Sequence, residues 1–167
     1  MRIARMLQGS PEWHEHRRRY RNAPETPVVL GQSPWQTPYQ LWQLKLGLTE
    51  QEVTPAMRRG SELEPLARAA YELQTGRVMQ PLVVVDGEYG SSLDGITLAG
   101  DRLLEIKCPV KGRDSTLWKT VEAGRLPKHY EYQVAHQLMV TRAGLADVYI
   151  FDGTEGILLE VKPDASI

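Results

Sequence analysis

The chain has 167 residues, 41% of them hydrophobic and 25% charged, which is ordinary for one folded domain spanning residues 1–167 and excludes a disordered chain. A formal net charge of −1 argues against a protein that binds polyanions through bulk charge alone. No apolar run approaches the length of a membrane span, the N-terminus lacks a signal-peptide core, and the single cysteine, Cys108, excludes an internal disulfide, so we expect no membrane contact and a reducing cytoplasm.

The first distinctive stretch is basic and aromatic. "HEHRRRYR" at residues 14–21 lies beside Trp13, and "MRRG" adds Arg58 and Arg59. Arginines clustered near aromatic rings are typical of a surface that contacts phosphate. A solvated helix face would have the same composition, and this stretch alone does not choose between the two.

Two helices are predicted next. Thr37-Pro38 is typical of an N-cap and first helical residue, and Gly47 ends a short helix that contains "YQLWQLKL". A second helix is predicted over residues 55–73, and Pro65 within it predicts a kink or the start of the helix. The predicted apolar face of this helix consists of Leu63, Leu66, Ala67, Ala70 and Leu73.

The rest of the chain predicts a mixed sheet. "QPLVVVD" is continuous and β-branched, as a buried strand should be, and "GSSLDGI" and "RLLEIKCP" follow as two strands joined by the turn "LAGD". Helical segments "STLWKTVEAG" and "KHYEYQVAHQLMVTRAG" come next, and "ADVYIFDG" and "GILLEVKP" close the chain as strands. This order predicts an α/β fold in which helices pack on the faces of a mixed sheet.

A charged pair interrupts the third strand. Because strand side chains alternate, Glu105 and Lys107 in "LLEIKCP" share one face, and Asp94 on the preceding strand reaches that face if Gly95 and the turn let the strands pair. Two carboxylates beside an amine make a site for a hard cation such as Mg²⁺, which leaves positions open for phosphate. The lysine can orient or deprotonate an attacking water, or stabilise charge on the phosphate.

The same spacing occurs twice in the chain. "FDGTEGILLEVKP" repeats it with Asp152, Glu160 and Lys162, so the pattern is weak by itself and an edge hairpin with a charged outer face would also produce it. The first copy is favoured because a helix that carries another acid, Glu64, precedes it and a polar helix follows it. Glu64 has its own alternative, since "SELE" from Ser61 is a capping box at a helix start.

Four segments in order closely resemble the lambda-exonuclease-like (YqaJ-type) viral recombinase nucleases of the PD-(D/E)xK superfamily: "RRGSELEPLARAAYELQTG", "SLDG", "LLEIKCP" and "YEYQVAHQLMVTR". "GSPEWHEHRR" and "VLGQSPWQTPYQLW" also resemble the opening segments of that family. The resemblance covers residues 9–162 and assigns Glu64 to the site rather than to a cap. It implies a restriction-endonuclease-like fold, a mixed β-sheet flanked by helices.

The resemblance also implies roles for the matching residues. Glu64, Asp94 and Glu105 would be the metal-binding and catalytic acids, with the carbonyl of Ile106 as a further metal ligand. Lys107 would be the catalytic lysine.

Further matches concern the substrate. Gln133, on the next helix, would help to hold the lysine, the water or the substrate. Arg17, four residues after Trp13, and Ser92 would contact a DNA phosphate. Tyr130 lies one helical turn before Gln133, and it would line the site or pack in the core.

The implied function is a Mg²⁺-dependent deoxyribonuclease, with Mn²⁺ as a substitute, that digests linear duplex DNA from 5′ ends and leaves 3′ single strands for recombination. The implied partners are double-stranded DNA ends, a single-strand annealing protein and further copies of the chain in a trimer, inside a bacterial or phage-infected cell. The sequence departs from the family pattern at one position. In the family a serine helps to hold a terminal 5′-phosphate, and in this chain Pro24, within "NAPETP", occupies that position.

Two alternatives follow. The first is an endonuclease or a single-strand-specific nuclease on the same fold, which the Pro24 departure favours. The second is a catalytically silent DNA-binding recombination module, in which the acids serve only as strand and cap charges.

Overall fold

The computed structural model describes residues 1–165, which form one mixed sheet with helices on both faces. Within those residues the strands are β1 Arg2–Ala4, β2 Arg21–Asn22, β3 Gln80–Asp86, β4 Tyr89–Ile96, β5 Arg102–Lys107, β6 Leu145–Phe151 and β7 Gly156–Val161. The α-helices are α1 Pro11–Arg19, α2 Thr26–Val29, α3 Pro38–Lys45, α4 Pro55–Thr75, α5 Thr116–Glu122 and α6 Lys128–Thr141.

The strand order in the sheet is β1-β3-β4-β5-β6-β7, and the short β2 pairs beside β4. β5 and β6 run parallel, as do β2 and β4, whereas the other neighbours are antiparallel. The predicted order of helices and strands from residue 37 onward is confirmed, and the predicted α/β mixed sheet with it. β5 lies inside the sheet, with β4 paired along one edge and β6 along the other.

The core has two layers because strand side chains alternate between the faces. On one face Trp118 of α5 and Val134 of α6 pack against Leu103 of β5. On the other face Ala67 of α4 packs with Leu104 of β5. Strand β5 therefore contributes side chains to both layers of the core, between α4 on one face and α6 on the other.

Helix α4 begins at an N-cap, where the Thr54 hydroxyl accepts a hydrogen bond from the Met57 N–H at 3.2 Å. It ends at Gly76, whose φ of 70° is the left-handed conformation that glycine adopts easily. The helix continues through Ser61 and Pro65, which excludes the capping-box alternative for Glu64.

The apolar face predicted for α4 is wrong in part. Leu66 and Leu73 are 53% and 89% exposed, whereas Ala67 and Tyr71 are fully buried. The small Ala67 lets the helix lie close to the sheet, and Tyr71 buries a ring whose hydroxyl donates to Asp147. Leu66 and Leu73, which were predicted from their helical spacing, consequently lie outside the face of α4 that contacts the sheet.

No helix within residues 1–165 combines the length and the apolar character needed to cross a membrane. The single domain predicted over residues 1–167 stays a prediction, and residues 166–167 lie outside the described part of the chain.

Candidate active site

The site begins at an irregularity in β4. The register between β3 and β4 shifts here, since Gln80 pairs with Ile96 but Leu82 pairs with Leu93. One residue therefore lies between the paired positions on β3, whereas two lie between them on β4. Strand β4 therefore contains one extra residue, a β-bulge around Asp94. Bulges bend a strand and re-aim a side chain, and they are common beside active sites.

The Asp94 carboxylate occupies a gap between β4 and β5. The ladder between these strands ends at Gly95 and Leu104, and beyond it the Ile106 N–H donates to Asp94 Oδ2 at 2.7 Å. In an extended strand the N–H and C=O of one residue project to the same side, so the Ile106 carbonyl is directed into the same gap.

The main chain of the bulge is bonded by side chains from elsewhere. Gln8 Nε2 donates to the Leu93 carbonyl at 3.0 Å, and Arg68 Nε donates to the Asp94 carbonyl at 2.6 Å. These two bonds satisfy carbonyls at the irregular part of the strand. They also fix the position from which the Asp94 side chain projects.

Glu105 is only 3% exposed, and its carboxylate is held by three side chains. Oε1 lies 2.7 Å from Lys107 Nζ and accepts from Gln133 Nε2 at 2.6 Å. Oε2 accepts from Gln137 Nε2 at 2.5 Å. Because Gln133 and Gln137 are one turn apart on α6, the helix fixes both oxygens of the carboxylate.

Glu64 approaches from α4, on the opposite face of the sheet. It forms a salt bridge with Arg68 one helical turn later, and Arg68 also bonds the Asp94 carbonyl. The hydrogen bond from Arg68 to the Asp94 carbonyl ties α4 to the bulge. Burial raises the pKa of Glu64, the Arg68 charge lowers it, and the nearby Glu105 charge raises it again, so the net shift is upward.

Negative charge is concentrated at the gap. Burial raises the pKa of Asp94 well above its ordinary value, and the charges of Glu105 and Glu64 raise it further. Burial alone would lower the pKa of Lys107, but the Glu105 carboxylate and, to a lesser extent, Tyr130 and Asp94 outweigh it, so the pKa is raised and the amine stays protonated. Three acids therefore face one lysine and the guanidinium of Arg68.

The donor set fits a hard divalent cation. Three carboxylates and the Ile106 carbonyl are oxygen ligands of the kind that Mg²⁺ takes, and the excess negative charge favours a cation. Within residues 1–165 no three acidic, histidine or cysteine side chains converge closely enough to hold a metal ion as they stand. Each of the three carboxylates, Asp94, Glu64 and Glu105, instead accepts from a protein N–H group, of Ile106, Arg68 and Gln133 respectively.

The predicted phosphate contacts share one tryptophan. Trp13 Nε1 donates to Ser92 Oγ at 2.7 Å, and the Arg17 guanidinium lies 4.6 Å from the centre of a Trp13 ring. Burial lowers the pKa of Arg17, and the charge of Glu25 opposes that shift. Ser92 is two residues before Asp94 on β4, so this pair borders the acidic gap.

Tyr130 contacts both the catalytic-lysine candidate Lys107 and the core. Its ring centre is 4.8 Å from Lys107 Nζ, and it also packs against the core beneath α6. Gln133 accepts a 3.4 Å hydrogen bond from Lys107 Nζ in addition to its bond to Glu105. The lysine is therefore held between an aromatic ring, an amide and a carboxylate.

The second copy of the charged pattern forms structural ion pairs. Glu160 on the edge strand β7 accepts from Arg102 at 2.6 Å, and Asp152 accepts from Arg113 at 2.8 Å. Asp152 also accepts the N–H of Thr154 at 2.8 Å within the turn before β7. These contacts match the charged edge hairpin that the weak spacing alone left open.

Three residues of the site were missed by sequence reasoning: Gln8, Arg68 and Gln137. Four-residue spacing was an available signal for two of them, since Arg68 follows Glu64 by one turn and Gln137 follows Gln133 by one turn. Nothing in the local sequence of Gln8 indicates that it reaches β4, 85 residues away.

Comparison with known proteins adds independent findings. A model of the YqaJ-like viral recombinase domain matches residues 12–144. The uncharacterized protein YqaJ of Bacillus subtilis (strain 168) is 24% identical over 163 residues, which are 92% of this chain and 50% of that protein. The chain thus spans half the length of this curated relative.

Solved structures share the fold. An LHK-Exo structure in complex with dAMP is 26% identical, with a TM-score of 0.78 over 94% of this chain and 84% of that one. A second, of the alkaline exonuclease LHK-Exo from Laribacter hongkongensis, is 27% identical with a TM-score of 0.76 over the same shares. A phage-related exonuclease from Haemophilus somnus 129PT shares the fold at 11% identity and a TM-score of 0.67, over 92% and 88%. The predicted restriction-endonuclease-like α/β fold is confirmed.

Proposed function

Because the chain belongs to the YqaJ-like viral recombinase domain family, we propose that it is a metal-dependent deoxyribonuclease whose site is the gap between β4 and β5. The observation that carries the proposal is that Glu105 pairs with Lys107 at 2.7 Å, while Glu64 and Asp94 lie near enough for the Glu105 charge to raise the pKa of each. Structural ion pairs normally balance acids with bases, whereas here three buried or half-buried carboxylates share two basic groups, Lys107 and Arg68, which favours a cation.

The metal would be Mg²⁺, or Mn²⁺ in its place, held by Glu64, Asp94, Glu105 and the Ile106 carbonyl. When bound, it would neutralise phosphate charge and lower the pKa of a water ligand. Lys107 would donate to the phosphoryl oxygen on which charge accumulates in the transition state.

The two glutamines would position these groups. Gln133 contacts both Lys107 Nζ and Glu105 Oε1, so it fixes the distance between the amine and the carboxylate. Gln137 prevents rotation of the carboxylate by bonding Oε2. Arg17 and Ser92, held by Trp13, would bind a phosphate of the substrate strand.

The finer activity is exonucleolytic. LHK-Exo is an alkaline exonuclease with a structure in complex with dAMP, a mononucleotide such as exonucleases release. We expect linear duplex DNA to be digested from 5′ ends in bacterial or phage-infected cytoplasm, leaving 3′ single strands for an annealing protein. We further expect the chain to act as a trimer.

A second candidate, an endonuclease or single-strand-specific nuclease, is favoured by one observation. Pro24 lies in the 3₁₀ turn Ala23–Glu25 and offers no hydroxyl for a terminal phosphate. The nearby Thr26 hydroxyl is bonded to His136 Nδ1 at 2.7 Å. Of the residues expected to contact phosphate, Arg17 and Ser92 would then hold a 5′-phosphate without a hydroxyl at position 24.

The test is a time course with Mg²⁺ on 5′-phosphorylated linear duplex and on covalently closed circles of the same sequence. The proposal predicts that linear DNA is degraded to mononucleotides, circles stay intact, and Lys107→Ala or a chelator abolishes degradation. Nicked circles would favour the second candidate. DNA binding without cleavage in either Mg²⁺ or Mn²⁺ would contradict the nuclease assignment and support a silent DNA-binding module.

A further inference from the structure

A row of aromatic rings leads from Lys107 to solvent. The Tyr130 ring centre is 4.8 Å from Lys107 Nζ, and the His129 and Tyr130 rings are 4.2 Å apart. Trp35 continues the row, with its ring centre 4.7 Å from that of His129 and 6.0 Å from that of Tyr130. The Trp35 side chain is nevertheless 68% exposed.

Trp35 is held on a well-bonded turn. The Ser33 hydroxyl accepts from the N–H groups of Trp35 and Gln36, both at 3.3 Å. Immediately after it, Thr37 and Gln40 form a reciprocal capping box at the start of α3. The indole meets the His129 ring nearly edge to face, at 84°. A large ring is thus fixed in solvent, although tryptophan is on average a highly buried residue.

The position of the ring suggests what covers it. The two ring distances place the indole centre within about 11 Å of Lys107 Nζ. Successive nucleotides of one DNA strand are spaced ~3.4 Å along the helix, so the indole is within reach of a base about three positions or fewer from the bond that is cut. Base stacking on an exposed aromatic ring is a common way to bind unpaired nucleotides.

We propose that Trp35 is a stacking platform for an unpaired nucleobase of the strand that is cut, with His129 supporting the ring. This inference rests on the proposed nuclease function and specifies its substrate. A base in the interior of a duplex has both faces covered by its neighbours, and a paired base at the end exposes one face only, so a base next to the cut bond can stack on Trp35 only after it leaves the helix. In this proposal the substrate strand enters the site with its terminal nucleotides unpaired. Every base has a π face, so the platform tolerates any sequence.

The kinetic test uses duplexes in which one of the first four nucleotides at the digested end lacks its base. For the wild-type protein, one of these positions lowers kcat/KM by roughly ten-fold, the size expected for one lost base–aromatic stack. Trp35→Ala lowers kcat/KM on normal DNA by a similar factor and shows no further loss at that position. Trp35→Phe is intermediate, because a smaller ring still stacks.

Trp42→Ala is the matched control. Trp42 is also exposed, but its ring stacks on Tyr39 of the same helix at 5.7 Å. It should behave as wild type at every position. An abasic penalty of equal size in wild type and Trp35→Ala would overturn the proposal, as would a normal rate for Trp35→Ala on unmodified DNA.

A binding measurement separates this inference from the nuclease assignment. Metal-free protein is mixed with single-stranded DNA that carries 2-aminopurine near its 5′ end. Stacking on Trp35 quenches the fluorescence in wild type and in Trp42→Ala, and the quenching is lost in Trp35→Ala. Equal quenching in all three overturns the platform even if the protein cuts DNA, whereas absence of cleavage with selective quenching rejects only the nuclease.

Discussion

At the scale of single residues, Gln137 is the most constrained polar group of the site. It is 1% exposed, and among residues 1–165 its Oε1 has no hydrogen-bond partner. The side-chain amide cannot flip by 180°, because Gln137 Oε1 would then face the Glu105 carboxylate, and two acceptors repel each other. Burying an unpaired carbonyl costs about 1–3 kcal/mol, which offsets part of the stabilisation that the amide gives the buried Glu105 carboxylate.

Replacing Gln137 by methionine, of similar volume, should lower nuclease activity about 10- to 100-fold and raise the Mg²⁺ concentration needed for half-maximal rate. The reason is that Glu105 Oε2 loses its only amide donor and the carboxylate can rotate. Metal titrations of initial rate give both values, with thermal unfolding as a check on the fold. A rate that falls with an unchanged metal dependence would contradict a positioning role.

Asp94→Asn should stabilise the metal-free protein at neutral pH by about 1–2 kcal/mol while abolishing cleavage. The pKa of Asp94 is raised above its ordinary 3.8, so the folded state disfavours the ionised form. The cost is absent below the unfolded pKa, grows as pH rises toward the folded pKa, and is complete above it. Asparagine keeps the bond from the Ile106 N–H without the charge.

Unfolding in chelator from pH 4 to pH 9 tests this directly. The difference between Asp94→Asn and wild type should be near zero at the acid end and should widen with pH. In Mg²⁺ the wild type should gain stability by ligand binding and the variant should gain less. A variant less stable than wild type at pH 8 in chelator would show that the Asp94 charge is satisfied within the protein.

At the scale of secondary-structure elements, the bulge of β4 depends on Gly95. A methyl group there would lie 2.7 Å from Met79 Cβ and 3.2 Å from Leu104 Cβ, closer than packed side chains allow. The strand can therefore lie against its neighbours only without a side chain at this position. The same residue fixes the direction in which Asp94 leaves the strand.

Gly95→Ala should lose about 1–3 kcal/mol through overpacking and also lose specific activity per folded molecule, because the shift moves Asp94. Gly156→Ala is the control, since its methyl group would clash with the Tyr149 ring at the edge strand β7. It should be destabilised but keep its specific activity. Denaturant unfolding and rates normalised to folded protein measure the two effects. Equal losses of specific activity would argue against a local role for the bulge.

Periodicity and turn residues were enough to locate the helices and strands from residue 37 onward, including the strand 80–86 at its observed bounds. They could not locate the bulge, because it depends on the packing of Gly95 against Met79, in the loop before β3, and Leu104 of β5. They also misjudged α4, where the contact face is set by the close approach of Ala67 rather than by leucine spacing. Propensity describes a segment alone, whereas these features depend on its neighbours.

At the scale of the whole molecule, the sheet order distinguishes the two copies of the charged pattern. Strand β5 lies between β4 and β6, with α4 on one face and α6 on the other. Glu105 therefore reaches two glutamines of α6 as well as Lys107 on its own strand. Strand β7 is at the edge, and Glu160 meets only Arg102 among its hydrogen-bond partners in residues 1–165. The local sequence, in contrast, barely distinguishes the copy at the candidate site from the copy in the edge hairpin.

The candidate site was predictable where family-like motifs name its residues and was not where distant contacts complete it. Glu64, Asp94, Glu105, Lys107 and Gln133 could be predicted from ordered segments. Gln8 and Trp35 could not, because their relevance depends on which strand or helix they reach after folding. The roles of all these residues stay predictions until variants are assayed.

The central claim is tested most directly by comparing Glu105→Ala with Glu160→Ala on 5′-phosphorylated linear duplex in Mg²⁺. The two acids occupy the same position in the two copies of the pattern, so each variant is the control for the other. We expect Glu105→Ala to lose more than about 100-fold of the initial rate, beyond the loss typical for outer-sphere partners, and Glu160→Ala to keep a rate near wild type. A Glu105→Ala variant as active as wild type would contradict the account.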